Sequence, residues 1–340
     1  MKHYEYVYNE HGKFEKLDLD SSVLSLKPGQ MLIKPLGVGI CGSDLYLIKS
    51  NKKNLRLGHE WYGEVIATQD VQDYKVGDLV TGSGHVSCGH CNYCLQKKTN
   101  LCENLINFSS DKIGALRTAF VTEKKDVYKI EAKSNIALTL LEIFAVGEQA
   151  YSLLTDAKVE INDPKLIGVF GAGPIGLATA LVLKSYGLDI LIIEKLPERV
   201  LKAKSLGFKA VTVGEAAINT KYAASFDVVV DCTNDYSGDT GALKWLPFFT
   251  KKEFTGLIVA KYINNPILFP AFNSKAAQLI WMRGVSEKSM LTAIDRWQHK
   301  VIDYQDLMVT HIYQQSQIDL AFAMADNKTE SIKVVISLDD

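Results

Sequence analysis

One stretch of this chain limits its fold more than any other: Gly171-Ala172-Gly173-Pro174-Ile175-Gly176 follows directly on Leu166-Ile167-Gly168-Val169-Phe170. The apolar pentad reads as a buried strand, and residues 174 to 186 read as an apolar helix ending at Gly187. In that setting each glycine has a task. Gly171 permits a tight turn, Gly173 lets a pyrophosphate approach the backbone, and Gly176 lets helix and strand pack closely while the helix N-terminus faces the phosphates. Ile190–Ile193 supplies the next strand, and Glu194 ends it twenty-three residues after Gly171. A carboxylate there accepts hydrogen bonds from an adenosine ribose and repels a 2′-phosphate, which favours NAD over NADP, although Lys195 beside it softens that choice. A hexad alone often marks only a structural turn; strand, hexad, helix, strand and acid together point to a dinucleotide.

The same rhythm continues downstream. Residues 197 to 206 form an amphipathic helix closed by Gly207, and Ala210–Val213, Phe226–Asp231, Leu257–Ala260 and Leu279–Met282 read as further strands. Strand and helix alternating at this spacing imply parallel pairing through right-handed crossovers. The first hundred and thirty residues differ: Leu32–Val38, Glu64–Ala67 and Asp78–Val80 are brief β runs separated by Gly, Asp and Asn, as in an irregular barrel. From Glu287 to Asp340 helix and strand alternate again, ending in the strand-like Ile332–Ile336. A length of 340 residues exceeds what one hydrophobic core usually organises, so two domains are expected.

Composition narrows the classes of function. Apolar residues at 47% and charged residues at 23% describe a globular chain, not a disordered one. Thirty-eight Lys and Arg against thirty-nine Asp and Glu give a net charge of -1, too balanced for the broad positive field of a nucleic-acid or anionic-membrane binder. Met1-Lys2-His3-Tyr4-Glu5-Tyr6 carries charge where a secretory signal needs an apolar stretch, so a cytoplasmic protein is expected. The uncharged run Leu166–Leu183 is long enough to span a membrane, but its four glycines and one proline argue against that. Six cysteines in such a chain should be reduced, and clusters among them are read as metal chemistry before disulfides.

Four of the six do cluster. Cys88, Cys91, Cys94 and Cys102 fall within fifteen residues and offer four soft ligands, which suit tetrahedral zinc and leave no open position, so this site should be structural. An iron–sulfur cluster is the alternative for the same ligands. His90 inside the knot reads as a solvent-facing loop residue. A second, dispersed set is formed by Ile40-Cys41-Gly42-Ser43-Asp44 and Gly58-His59-Glu60-Trp61, each placing a zinc-type ligand among glycines. Taken singly, Cys41 would be a buried thiol and His59 a core histidine. Beside a complete zinc lobe and a dinucleotide fold they gain meaning as a pair.

These motifs together resemble the zinc-dependent medium-chain dehydrogenases, the group holding polyol, L-threonine and alcohol dehydrogenases, over nearly the whole chain. The stretch Gly82-Ser83-Gly84-His85-Val86-Ser87-Cys88 is similar to the threonine and polyol branch. The resemblance implies an α/β protein: a GroES-like, mainly-β catalytic domain from residues 1–147 and 284–340, a structural zinc lobe at 85–104, and a doubly wound Rossmann domain at 148–283. It also implies a homodimer or homotetramer, a small alcohol or carbonyl substrate, and two zinc ions per chain. Carried over by position, Cys41, His59 and Glu60 hold the catalytic zinc, with Glu142 as fourth ligand and Glu148 as its runner-up. Asp44 fixes the His59 tautomer, Ser43 bonds the substrate oxygen, Tyr46 and His85 belong to the catalytic set, and Glu60 exchanges on and off the metal. The cofactor set is the hexad, Glu194, Arg199 near adenine, and Cys232 with Thr233.

Departures from the family are visible too. Only seventeen positions separate Cys41 from His59, the proline usually found ahead of Gly-His-Glu is absent, and Tyr46 stands where many relatives carry a relay histidine. Ala260-Lys261 replaces a glycine-containing turn, and Thr233-Asn234 replaces Thr-Gly. The expected chemistry is zinc-assisted hydride transfer between a secondary alcohol and NAD. Two rivals stand beside it: an NAD-binding protein without chemistry, and an interaction protein that uses its zinc lobe.

Overall fold

The computed structural model describes residues 2–50, 52–109, 113–157, 166–233, 242–261, 269–302 and 308–339. Asn234 lies outside them. The chain divides into two compact units, one built from Met1–Ala145, Gly284–Val301 and Met308–Asp340, the other from Val146–Arg283 and Ile302–Leu307.

The first unit is organised by a seven-stranded sheet. Its path runs Val309–Gln314, Lys333–Ser337, Gln30–Gly39, Glu60–Gln69, Leu79–Gly82 and Val127–Ile130, with Phe120–Glu123 also paired to Gln30–Gly39. Val309–Gln314 and Lys333–Ser337 pair in parallel, and the other neighbours are antiparallel. Pro35 sits inside Gln30–Gly39, where it can give no ladder hydrogen bond, and the register with Glu60–Gln69 shifts between Pro35 and Gly37. Beyond that bulge the register resumes and sets Gly39 opposite Glu60, which leads the strand directly into Cys41. Trp61 anchors the core below, stacked on Phe108 at 5.9 Å and edge-on to Phe120 at 5.0 Å.

The second unit is a six-stranded sheet, all parallel, in the order Lys209–Thr212, Asp189–Glu194, Leu166–Phe170, Phe226–Asp231, Thr250–Ile258, Gln278–Trp281. By chain order that is third, second, first, fourth, fifth, sixth, the arrangement of a doubly wound nucleotide fold. The order reverses between Leu166–Phe170 and Phe226–Asp231, and ligands of such sheets bind beyond the carboxyl ends of those strands. Gly171 and Cys232 stand at those two ends. The apolar run Leu166–Leu183 is thus a core strand followed by the helix Pro174–Ser185, almost all of it buried. A further helical stretch, Ile136–Asp156, is long and apolar enough to cross a membrane, but it too is largely buried inside the protein.

Candidate metal centres and nucleotide turn

In the lobe that follows His85–Val86, a short helix Asn92–Leu95 carries Cys94 and is preceded by Cys91, while Cys102 ends the turn Thr99–Leu101. This local winding brings the sulfurs of Cys88, Cys91, Cys94 and Cys102 within 4.8 Å of one another. The Cys88 and Cys94 sulfurs are 3.9 Å apart. Four Zn–S bonds in a tetrahedron put sulfurs about 3.8 Å apart, so the cage already has the size of a zinc site. Backbone amides prepare it: Cys88 N–H donates to Cys102 Sγ at 3.3 Å, and Cys91 N–H to Cys88 Sγ at 3.4 Å. Hydrogen bonding from the His90 backbone leads in lowering the Cys88 thiol to about 6, whereas burial pushes Cys94 up to about 12. Four thiols this close cannot all ionise without a cation among them. His90 is exposed, with its ring 2.9 Å from the Cys88 carbonyl.

The second set lies in the sheet of the same unit. Cys41 precedes the helix Gly42–Lys49, and Asp44 in its first turn reaches back to accept the Cys41 N–H at 3.0 Å. Gly58, with φ of +96°, makes the bend ahead of His59; a Cβ there would lie 2.7 Å from Val38 Cγ1, so bend and packing both require glycine. Ligand atoms of Cys41, His59 and Glu60 fall within 4.8 Å of one another. His59 Nδ1 lies 3.4 Å from Asp44 Oδ1, which directs the ring's other nitrogen away from Asp44. Burial would lift Asp44 and depress His59, but their mutual attraction outweighs it: Asp44 is held below the usual carboxylate range and His59 well above the usual imidazole range. Glu60 is fully buried, and its Oε1 has no hydrogen-bond partner among the described residues. An orphaned buried carboxylate oxygen beside a thiol and an imidazole is a donor set that fits a zinc ion with room for a further ligand.

Glu142 opens the helix Leu141–Asp156 and lies beside this set. A Cβ added to Gly84 would stand 3.2 Å from His59 Cδ2 and 3.5 Å from Glu142 Oε1, which places the carboxylate and the imidazole edge on one small gap. Burial is the main reason its pKa rises to about 7, with Glu60 adding to the rise and His59 opposing it. Glu148, two turns of sequence away, is engaged elsewhere: its Oε2 accepts the Tyr186 hydroxyl at 2.8 Å within the second unit. Ser43 and Tyr46 lie partly exposed on the helix Gly42–Lys49, and His85 is buried on the short strand His85–Val86.

The glycine turn is built as its sequence requires. Gly171 adopts φ of +96°, and a Cβ on Gly176 would stand 1.9 Å from the Gly171 carbonyl oxygen. Glu194 braces the turn: its carboxylate accepts Ala172 N–H at 2.5 Å, Lys195 N–H at 2.6 Å and Leu196 N–H at 3.0 Å. Arg199 brings Nη1 to 3.2 Å from where a Gly173 Cβ would be, so its cation lies over the turn, not out in solvent. Pro174 and Ile175 begin the helix behind it. Across the switch point Thr233 donates from N and Oγ1 to Asp231 Oδ1 at 3.0 and 2.7 Å, and burial leads in raising the Cys232 thiol far above its ordinary range.

Comparison with known proteins agrees with this construction. Residues 27–132 match the alcohol dehydrogenase GroES-like domain, and residues 166–215 match an FAD binding domain. The latter span runs from the first strand and glycine turn through the third strand, Lys209–Thr212, and opens on a strand–turn–helix unit that FAD and NAD proteins use alike. A zinc-type alcohol dehydrogenase-like protein of Escherichia coli strain K12 is 30% identical over 333 residues, covering 92% of this chain and 93% of that one. The chain belongs to the zinc-dependent medium-chain dehydrogenases. An L-threonine 3-dehydrogenase of Vibrio vulnificus is 30% identical over 243 residues, covering 67% of this chain and 68% of its own. A solved Escherichia coli oxidoreductase of unknown specificity superposes with a TM-score of 0.86 at 27% identity, over 100% of both chains.

For a dehydrogenase of this family, two residues at the metal set were not singled out from the sequence. Lys333, 1% exposed on the strand Lys333–Ser337, forms an ion pair with Glu60 Oε2 and donates to the Ile40 carbonyl at 3.1 Å. Burial opposes its charge, yet Glu60 and the other acids hold its pKa above the usual lysine value. Its signal was a lone lysine in the apolar run Ile332–Ile336, since lysine is almost never buried without a partner. Ser109 is the other. Its hydroxyl donates to Asp44 Oδ1 at 2.5 Å across sixty-five residues of sequence, a contact that no local pattern announces.

Proposed function

We propose that this chain is a zinc-dependent oxidoreductase that transfers hydride between a secondary alcohol and NAD. The observation that carries the reading is the contrast between two metal sets in one chain: a four-thiol cage with no open position, and Cys41, His59 and Glu60 with one. Zinc in the open set would supply Lewis acidity that lowers the pKa of a substrate hydroxyl or polarises a carbonyl, and NAD would accept or return the hydride.

The chain's own residues do the rest. Cys41 and His59 hold the metal, and Asp44 keeps the proton on His59 Nδ1 so that the other nitrogen is available to bind. Glu60 would offer the oxygen that Lys333 leaves unpaired and would give it up when substrate binds, which keeps a position open with Glu142 as the further ligand; Glu142 is preferred over Glu148 because it shares a gap with His59. Ser43, on the helix Gly42–Lys49, would receive the substrate's hydroxyl proton as it gives up its own, which would leave through the cofactor ribose and Tyr46 of the same helix. In the second unit the glycine turn and the N-terminus of Pro174–Ser185 receive the pyrophosphate. Glu194 ends the second strand of that sheet, where a carboxylate would accept the adenosine ribose hydroxyls and repel a 2′-phosphate, which supports NAD over NADP.

The threonine dehydrogenase relative and the Gly84-His85 segment support a hydroxy amino acid, a polyol or a sugar derivative as substrate. A homodimer or homotetramer and a cytoplasmic location complete the proposal. The test is metal analysis followed by a panel of polyols, hydroxy amino acids and simple alcohols read by NADH absorbance. Two zinc per chain and turnover of a panel member are expected; one zinc, or silence from a two-zinc preparation, would favour a protein without this chemistry. Cys41→Ser should lose turnover by several orders of magnitude while NADH binding, read by fluorescence, is kept.

A further inference from the structure

We infer that Ser109 is a positioning residue for the metal held by Cys41 and His59, joining the two segments that carry those ligands through one hydroxyl. The inference rests on the reading of that set as a zinc site. A serine hydroxyl has one proton to give and two lone pairs to receive with. Ser109 gives its proton to Asp44 Oδ1 at 2.5 Å and receives the Gly58 N–H at 3.1 Å. The first partner lies on the helix that Cys41 opens, and its second oxygen takes the Cys41 N–H at 3.0 Å. The second partner is the residue before His59. The same Asp44 Oδ1 that receives the Ser109 proton stands 3.4 Å from His59 Nδ1. One side chain therefore ties the backbone on both sides of the metal set and loads the carboxylate that orients the imidazole.

The backbone at Ser109 supports a specific need for the hydroxyl. Its φ of +96° lies in the region that suits glycine, and its N–H is committed to the Ile113 carbonyl at 2.8 Å. Glycine would satisfy that conformation without strain. Serine there adds a single capability, a buried donor and acceptor, and both are used on segments bearing metal ligands. Without it Asp44 loses its shortest hydrogen bond and the Gly58 amide is left unsatisfied, so the angle between Cys41 and His59 and the hold on the imidazole both loosen.

The test uses the zinc-loaded full chain and two variants, Ser109→Ala and Ser109→Gly, with zinc release followed by a chromophoric chelator. The four-cysteine site is the internal reference. Release from the open site should be about 10–100-fold faster in both variants, with the slow phase from the cysteine cage unchanged. Cobalt substituted at the open site should show altered visible d–d bands in both. Ser109→Gly is the decisive variant, because it removes backbone strain together with the hydroxyl. Should it melt no lower than the parent and still release zinc at the parent rate with the parent cobalt spectrum, the position serves only the backbone and the inference is overturned. A parent protein that shows the slow phase alone would overturn the zinc reading first and this inference with it, so the two failures are told apart before any variant is made.

Discussion

At the scale of single residues, the buried pair of Lys333 and Glu60 shows how this chain sets a charged metal site inside a sheet. Gly39 stands opposite Glu60, and a Cβ there would lie 2.6 Å from Glu60 Oε2, so the carboxylate occupies space that only glycine leaves open. Lys333 arrives from the strand on the other side of Gly39 and neutralises that oxygen, while the other has no hydrogen-bond partner among the described residues. Removing one member of a buried pair leaves an uncompensated charge, which costs about 3–5 kcal/mol, whereas removing both at once is often close to neutral. Lys333→Met should therefore lower the unfolding free energy of the metal-free protein by about that amount, and Lys333→Met with Glu60→Gln should recover most of it. Urea unfolding of the four corners of the cycle measures this. Additive losses would show that the two side chains do not depend on each other.

Among the elements, the chain made plain what is local and hid what is not. Leu166–Phe170 and Phe226–Asp231 form where their largely apolar runs put them, because parallel strands covered on both faces need no strict alternation. Thr250–Ile258 begins seven residues before its apolar end suggests, since Lys251, Lys252 and Glu253 are exposed, Glu253 takes φ of +59°, and the pairing slips between Phe226 and Val228. Periodicity cannot announce a strand whose first half is a solvated irregularity. The ligand residues were legible because glycines and spacing mark them. Lys333 and Ser109 were not, because each acquires its meaning from a partner 273 or 65 residues away. The glycine turn is the most local device of all and gives the sharpest prediction at this scale. Gly176→Ala puts a carbon 1.9 Å from the Gly171 oxygen, which must drive the helix Pro174–Ser185 off its strand. NADH should bind at least about tenfold more weakly, or about 1.4 kcal/mol, by fluorescence titration, with both zinc ions retained. Unchanged affinity would mean that the turn does not hold the cofactor.

For the whole molecule, metal, protons and folding are one linked equilibrium. Without metal, Glu142 keeps its proton up to about 7 because burial disfavours its charge, while an unfolded chain releases it near the ordinary value of 4.5. Between those values the folded protein binds more protons than the unfolded one, so stability falls as pH rises. His59 acts in the same direction: its folded pKa lies well above 6.5, and the stability it lends below that value is lost as pH climbs toward the folded pKa. A divalent cation reverses both preferences, since it favours the carboxylate and requires a neutral imidazole. Protein emptied at the open site should thus lose thermal stability steadily from about pH 5 to pH 8, while the zinc-loaded form holds level or gains over the same range. Glu142→Gln should flatten the acid half of the metal-free decline and leave the alkaline half, where His59 gives up its proton. Melting curves that run parallel with and without metal would show that neither group is linked to the ion, and would place the metal away from His59 and Glu142.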